Sequence, residues 1–119
     1  MYKSNKLRLI DKAESHFKEV LAGGLQGPIK VEEWDCEIWY KPSTTLHEEA
    51  KVIELTQQGK ATEALVVTLI NRARDKDGNL LFNMGDQLKL MRNVDPKVVL
   101  SIVTQFNANK ETIDDVVGN

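Results

Sequence analysis

The run from Thr62 to Phe82 constrains this chain more than any other stretch. Its first half is apolar on most of a helix's circumference, with Ala61, Ala64, Leu65, Val66, Val67, Leu69, Ile70 and Ala73. A helix apolar nearly all round has to be covered on several sides, so the central helix of a small domain is expected over about Ala61 to Arg74. The residues that follow, Asp75-Lys76-Asp77-Gly78-Asn79, supply turn chemistry: Asp and Asn tolerate left-handed backbone, and Gly78 takes positive φ without steric cost. Asp75, Asp77, Gly78 and Phe82 are therefore read as a structural turn, with Leu80 to Phe82 returning the chain to the core. No nucleophile, general base or complete ligand set lies in the run.

The remaining composition fits one domain spanning residues 1–119. The formal net charge is -2 and the basic residues are scattered, which argues against a nucleic-acid footprint. The single cysteine, Cys36, excludes an internal disulfide and a cysteine-rich metal site. Near the N-terminus, Lys3, Lys6 and Arg8 flank a short apolar run, Leu7 to Ile10, which Asp11 interrupts. That is not a signal peptide, and nothing approaches the roughly 20 apolar residues of a membrane span. A soluble intracellular protein is expected.

Taken in order, Leu7, Ile10, Ala13, Phe17, Val20 and Leu21 recur at helical steps, and Gly23-Gly24 ends the pattern. The helix either packs on the domain or lies on a membrane or a partner, and its mixed polar face, with Asp11, Glu14 and Glu19 among lysines, argues against an anionic membrane surface. Leu25 to Lys30, with Gly27-Pro28, reads as a linker, so residues 1–28 form an N-terminal helix and linker. A strand is predicted over Trp34-Asp35-Cys36-Glu37-Ile38-Trp39-Tyr40, with Trp34, Cys36, Ile38 and Tyr40 on one face. It needs a partner for its backbone, and Ile29 to Val31 could supply one. The hairpin either closes over the helices or pairs its open edge with another subunit.

Thr45-Leu46-His47-Glu48 fits a capping box opening a helix with Leu46, Ala50 and Ile53 on its inner side, closed by Gly59. Asn83 is expected to cap a short helix bearing Met84, Leu88 and Met91. Asp95-Pro96 opens another, with Val99, Ile102, Val103 and Phe106 facing inward. Residues 108–119, with Glu111, Asp114 and Asp115, read as a flexible tail. The expected fold is mainly α: four to five helices with a short N-terminal β-strand or hairpin.

Candidate chemistry is sparse. Asp75, Asp77 and Asn79 suggest a calcium loop, but such a loop needs glycine sixth and glutamate twelfth, where this chain has Leu80 and Asp86. His16 and His47 lie on separate helices, too few with Cys36 for a zinc cluster. Cys36 alternates with Trp34 and Ile38, which assigns it to packing rather than to nucleophilic catalysis. Gly23-Gly24 lacks the lysine and spacing of a phosphate loop. A non-catalytic protein without cofactor or metal is expected.

The order of features resembles the phage tail assembly chaperones. The resemblance runs from Asp11-Lys12-Ala13 and Leu21-Ala22-Gly23-Gly24-Leu25 through Val31-Glu32-Glu33-Trp34 and Ile38-Trp39-Tyr40-Lys41-Pro42. It continues through Glu63 to Ile70, Asp75-Lys76-Asp77-Gly78-Asn79-Leu80-Leu81-Phe82 and Leu90 to Pro96, covering about Asp11 to Phe106. It implies a cytoplasmic role in the bacterial host, outside the mature virion. The partners implied are the tape measure protein, the tail-tube protein through a longer frameshifted form, and further copies of the chain. Trp34, Trp39 and Tyr40 are then the candidate protein-interaction residues, either in self-association or in client binding. The alternative is a small stoichiometric adaptor or regulatory module of a bacterial or prophage operon. Position between a tail-tube gene and a very long tape measure gene would separate the two.

Overall fold

The computed structural model describes the backbone of residues 8–118 and the side chains of residues 8–108. Lys3 and Lys6, and the side chains of Glu111, Asp114 and Asp115, lie outside the described residues. The elements are α1 (Leu9–Ala22), β1 (Gln26–Val31), β2 (Cys36–Tyr40), α2 (Leu46–Gln57), α3 (Ala61–Arg72), β3 (Ala73–Arg74), α4 (Gln87–Asn93) and α5 (Pro96–Gly118). Single 3-10 turns cover Glu32–Trp34 and Met84–Asp86.

The expected strand or hairpin is corrected to a three-stranded antiparallel sheet of order β1-β2-β3. Its third strand comes from mid-chain, where α3 ends at Arg72 and the next two residues turn extended to pair with Trp39 and Tyr40. The strands are part of the core rather than a cover for it, because Ile29, Val31, Ile38 and Tyr40 are buried together with residues of α3, α4 and α5. The fold is five helices packed with that sheet.

The segment expected as a linker is mostly β1. Its register with β2 shifts between Gln26 and Ile29, and Gly27-Pro28 occupies the shift. Proline has no amide to give a ladder, so an irregular place in an outer strand suits it. Gly27 has φ 108, and a Cβ there would come within 3.0 Å of the Ile38 carbonyl oxygen. The strand expected from Trp34 starts only at Cys36. Asp35 adopts left-handed backbone, φ 51, and breaks the alternation, leaving Trp34 on the preceding 3-10 turn.

α3 occupies the centre, as its all-round apolar surface requires. Val66, Leu69 and Ile70 join the main core with Val98, Val99, Ile102, Val103 and Phe106 of α5. Ala64 and Val67 face the other way and form a smaller cluster with Leu55 of α2. Each buried Val, Leu, Ile or Phe side chain contributes about 1.5–3 kcal/mol when removed from water.

The capping signals form as the sequence implies. Thr45 Oγ1 accepts from the Glu48 amide at 3.1 Å, and Glu48 Oε1 accepts from the Thr45 amide at 3.0 Å. Asn83 Oδ1 accepts from the Gly85 amide at 2.8 Å, and Asp95 Oδ1 from the Lys97 amide at 3.0 Å. The inner face of α2 is corrected, however. Leu55 is the buried position, whereas Leu46 is 86% and Ile53 48% exposed. Residues 108–118, expected as a tail, continue α5 as helix to Gly118.

Candidate interaction surface

Of the aromatic residues singled out in the sequence, Tyr40 is buried, while Trp34 and Trp39 are half-buried. Tyr40 faces inward, its ring centroid 4.8 Å from that of Phe106. The Arg72 guanidinium lies over both rings, at 5.5 Å from Tyr40 and 5.2 Å from Phe106. It also donates to the carbonyl oxygens of Lys41, Pro42 and Phe106 and to Asn107 Oδ1. Burial pushes the Arg72 pKa down, against the opposing pull of Tyr40 and Glu49. An arginine's pKa starts so high that it stays charged. Tyr40 is thus a core residue closing the junction of β2, α3 and α5, and it offers no surface to a partner.

The opposite face of the sheet is accessible. Trp39 stands across from Arg74, and Arg74 across from Leu80, so the three side chains share the outward face. Leu80 is 58% exposed. Arg74 donates to the Ala73 carbonyl oxygen at 2.9 Å, and partial burial lowers its pKa against the raising influence of Glu48. Trp34 meets Phe82 edge-on, with centroids 6.3 Å apart and planes at 73°, and both pack against the main core. Two segments far apart in sequence, the tryptophan run and the Asp-Gly turn, are therefore neighbours in space.

The turn achieves this by closing on itself. Asp75 Oδ1 accepts from the amides of Asp77 and Asn79, both at 2.9 Å, and Asp75 Oδ2 from Asn79 Nδ2 at 3.2 Å. The Asp75 amide donates to the Asn79 carbonyl oxygen at 2.9 Å, and Gly78 takes φ 89. The Asn79 amide foremost, with further bonds from Asn79, Asp77 and Gly78, holds the Asp75 carboxyl below its ordinary value. The turn caps a tiny hairpin between Arg74 and Leu80, not the helix directly. Of the residues expected to return to the core, Phe82 does so in part, while Leu80 and Leu81 stay exposed. Both oxygens of Asp75 serve the turn, and no group of three His, Cys, Asp or Glu able to hold a metal occurs among the described residues.

Cys36 is corrected from packed to exposed: it pairs with Val31 at the hairpin end of the β1–β2 ladder, where it is open to solvent. Partial desolvation, and then the charge of Asp35, push its thiol pKa up. That weakens it as a nucleophile, because the thiolate is the reactive form.

Sequence periodicity did not show that several helices carry large apolar residues outward. Met84, Leu88 and Met91, which the short helix was expected to bear, are exposed, and Leu90 is the buried position of α4. α1 buries no residue at all. No helix among the described residues is long and apolar enough to cross a membrane. No family model, curated protein or solved structure matches the chain.

Proposed function

We propose that this chain is a non-catalytic tail assembly chaperone of a bacteriophage or prophage, acting in the host cytoplasm. Its client is the tape measure protein, and it helps recruit tail-tube subunits, the latter through a longer frameshifted form. One observation carries the reading. Two of the segments that carry the family resemblance, Trp34 to Pro42 and Asp75 to Phe82, are brought together: Trp39, Arg74 and Leu80 share an outward ledge, and Trp34 meets Phe82 edge-on where both pack against the main core.

A half-exposed aromatic ledge with one guanidinium suits a client of long apolar helices. Tryptophan gives large contact area with little conformational freedom to lose, and arginine adds donors without excluding an apolar neighbour. Trp34 and Trp39 are the anchors; Tyr40 supports them from the core.

Co-expression with the tape measure protein encoded nearby tests the function. The client is expected to move from the insoluble to the soluble fraction when the chain is present. A client that stays insoluble with this chain and also with the frameshifted form contradicts the proposal.

A further inference from the structure

Arg74 carries a charge that the chain itself leaves unanswered. Its Nη1 donates to the Ala73 carbonyl oxygen at 2.9 Å, which anchors the guanidinium against the backbone. Nε and Nη2, the two donors on its other edge, have no acceptor among the described residues. Arg72 shows what that edge does when filled, since its Nε and Nη2 together clasp the Lys41 carbonyl oxygen. The ion pairs among the described residues are Lys41–Glu48 and Lys51–Glu54, and Arg74 belongs to neither. Glu48 pulls on Arg74 electrostatically, yet its Oε1 accepts from the Thr45 amide and hydroxyl and pairs with Lys41 at 3.6 Å. Glu37, the acidic residue on the outward face of β2, has Lys30 as its cross-strand neighbour. Partial burial lowers the Arg74 pKa against the pull of Glu48, so the guanidinium has given up water without gaining an opposite charge at contact distance.

The neighbours give this charge a register. Trp39 lies directly across from Arg74 on one side and Leu80 on the other, so an apolar group, a cation and an apolar group stand in line. Neighbouring strands are about 4.8 Å apart, and a helix rises about 5.4 Å per turn. A helix laid across the strands therefore brings side chains one turn apart over Trp39, Arg74 and Leu80 in succession.

We propose that the Nε–Nη2 edge of Arg74 receives a carboxylate of the client, from a helix whose acidic residue has a large apolar residue one turn before it and one turn after. This rests on the client reading above and adds the feature that the ledge selects. The planar fork matches a carboxylate with two parallel hydrogen bonds. A helix with an apolar residue at the central place would cover the guanidinium unpaired, so the ledge discriminates among apolar helices. A single acid suits the site better than a polyanion, because Glu37 and Glu48 stand nearby and the net charge of the chain is -2.

The complex with the full-length tape measure protein, used as the probe, tests this from both partners. Arg74→Gln is expected to weaken client binding roughly tenfold, and Arg74→Lys to recover part of the loss. Glu37→Gln, on the same face, is expected not to weaken it. A carbodiimide condenses a carboxylate with an adjacent amine into an amide, the reagent taking up the water. With Arg74→Lys it is expected to form a cross-link absent from the wild-type complex. Peptide mass spectrometry then locates the client's acid, with the apolar residues expected one turn to either side. Lysine in place of that acid is expected to restore binding to Arg74→Glu, a rescue that misfolding of either partner could not produce. Should Arg74→Glu fail to fold, glutamine in place of the client's acid is tested on the wild-type chain, with the same tenfold loss expected. No complex with the wild-type chain defeats the client reading, and this inference with it. Full binding by Arg74→Gln overturns the inference alone. So does a cross-link pattern unchanged by Arg74→Lys, or an acid without apolar neighbours one turn away. Duplex DNA retained by the wild-type chain and released by Arg74→Gln would assign the charge to phosphate and overturn it too.

Discussion

Arg72 and Lys41 hold each other through backbone and side chain at once. The Lys41 amide donates to the Arg72 carbonyl oxygen at 3.1 Å, while Nε and Nη2 of Arg72 donate to the Lys41 carbonyl oxygen at 3.1 and 2.9 Å. The backbone bond prolongs the β2–β3 pairing by one residue, and the planar guanidinium ties the same point to α5 through the Phe106 carbonyl and Asn107. One side chain thus fixes where α3 stops and the sheet begins.

Arg72→Met keeps the length of the side chain but removes every donor. It is expected to cost about 1–3 kcal/mol, since part-buried carbonyl oxygens lose their partner. Arg72→Lys is expected to recover only part of this, because a single ammonium cannot reproduce the fork. Urea denaturation of the two variants checks both expectations; a Met variant as stable as wild type would show that the clamp is ornamental.

The two faces of α2 give a paired prediction. Leu55→Ala is expected to destabilise by about 2–5 kcal/mol, whereas Leu46→Ser and Ile53→Ser stay within about 0.5 kcal/mol of wild type. Thermal or chemical unfolding of a dilute sample reads this directly. A large loss at Leu46 would restore the inner face expected from the sequence.

These two examples show what the sequence could and could not reveal. Thr45-Glu48 and Asp95-Pro96 locate helix starts because capping is local chemistry, and Val99, Ile102, Val103 and Phe106 predict the buried face of α5 because that helix has one dominant stripe. α2 has two apolar stripes, Leu46-Ala50-Ile53 and Val52-Leu55. Only the position of α3, with Ala64 and Val67 waiting, decides between them. β3 is extended because β2 pairs with it; Ala73-Arg74 carries no strand pattern of its own. Asp35 interrupts the alternation of the tryptophan run through its backbone angle and takes Trp34 out of the strand, while Cys36 is exposed at the hairpin end of the ladder. The site was half legible: Trp34 and Trp39 stood out by composition, but the contact of Trp34 with Phe82 and the pairing of Trp39 with Arg74, and of Arg74 with Leu80, depend on contacts across the chain.

The Asp75 turn is expected to be pH-sensitive with a definite sign. The folded-state pKa lies below the unfolded value of about 3.9, so ionised Asp75 supports the fold above that pH, and the support is lost as pH falls through the lowered pKa. Asp75→Asn is therefore expected to melt below wild type at pH 7 and to converge with it in acid. Melting curves from pH 7 to pH 2.5 check this; a gap that widens in acid would reverse the assignment.

Cys36 is expected to react with a thiol reagent in the native state, at a rate below that of a free small thiol at neutral pH. Exposure permits the first, and the raised pKa imposes the second. Labelling kinetics from pH 7 to pH 10 are expected to accelerate with pH. Reaction only after unfolding would place Cys36 back in the core.

Co-purification of the tape measure protein decides most directly whether the outward ledge holds a client. The wild-type chain and its Trp34→Ala/Trp39→Glu counterpart are to be compared after matched co-expression, with circular dichroism confirming that both are folded. The prediction is a soluble complex that elutes together with the wild-type chain and is lost with the double variant. A complex indifferent to both tryptophans, or no complex with the wild-type chain, would contradict it.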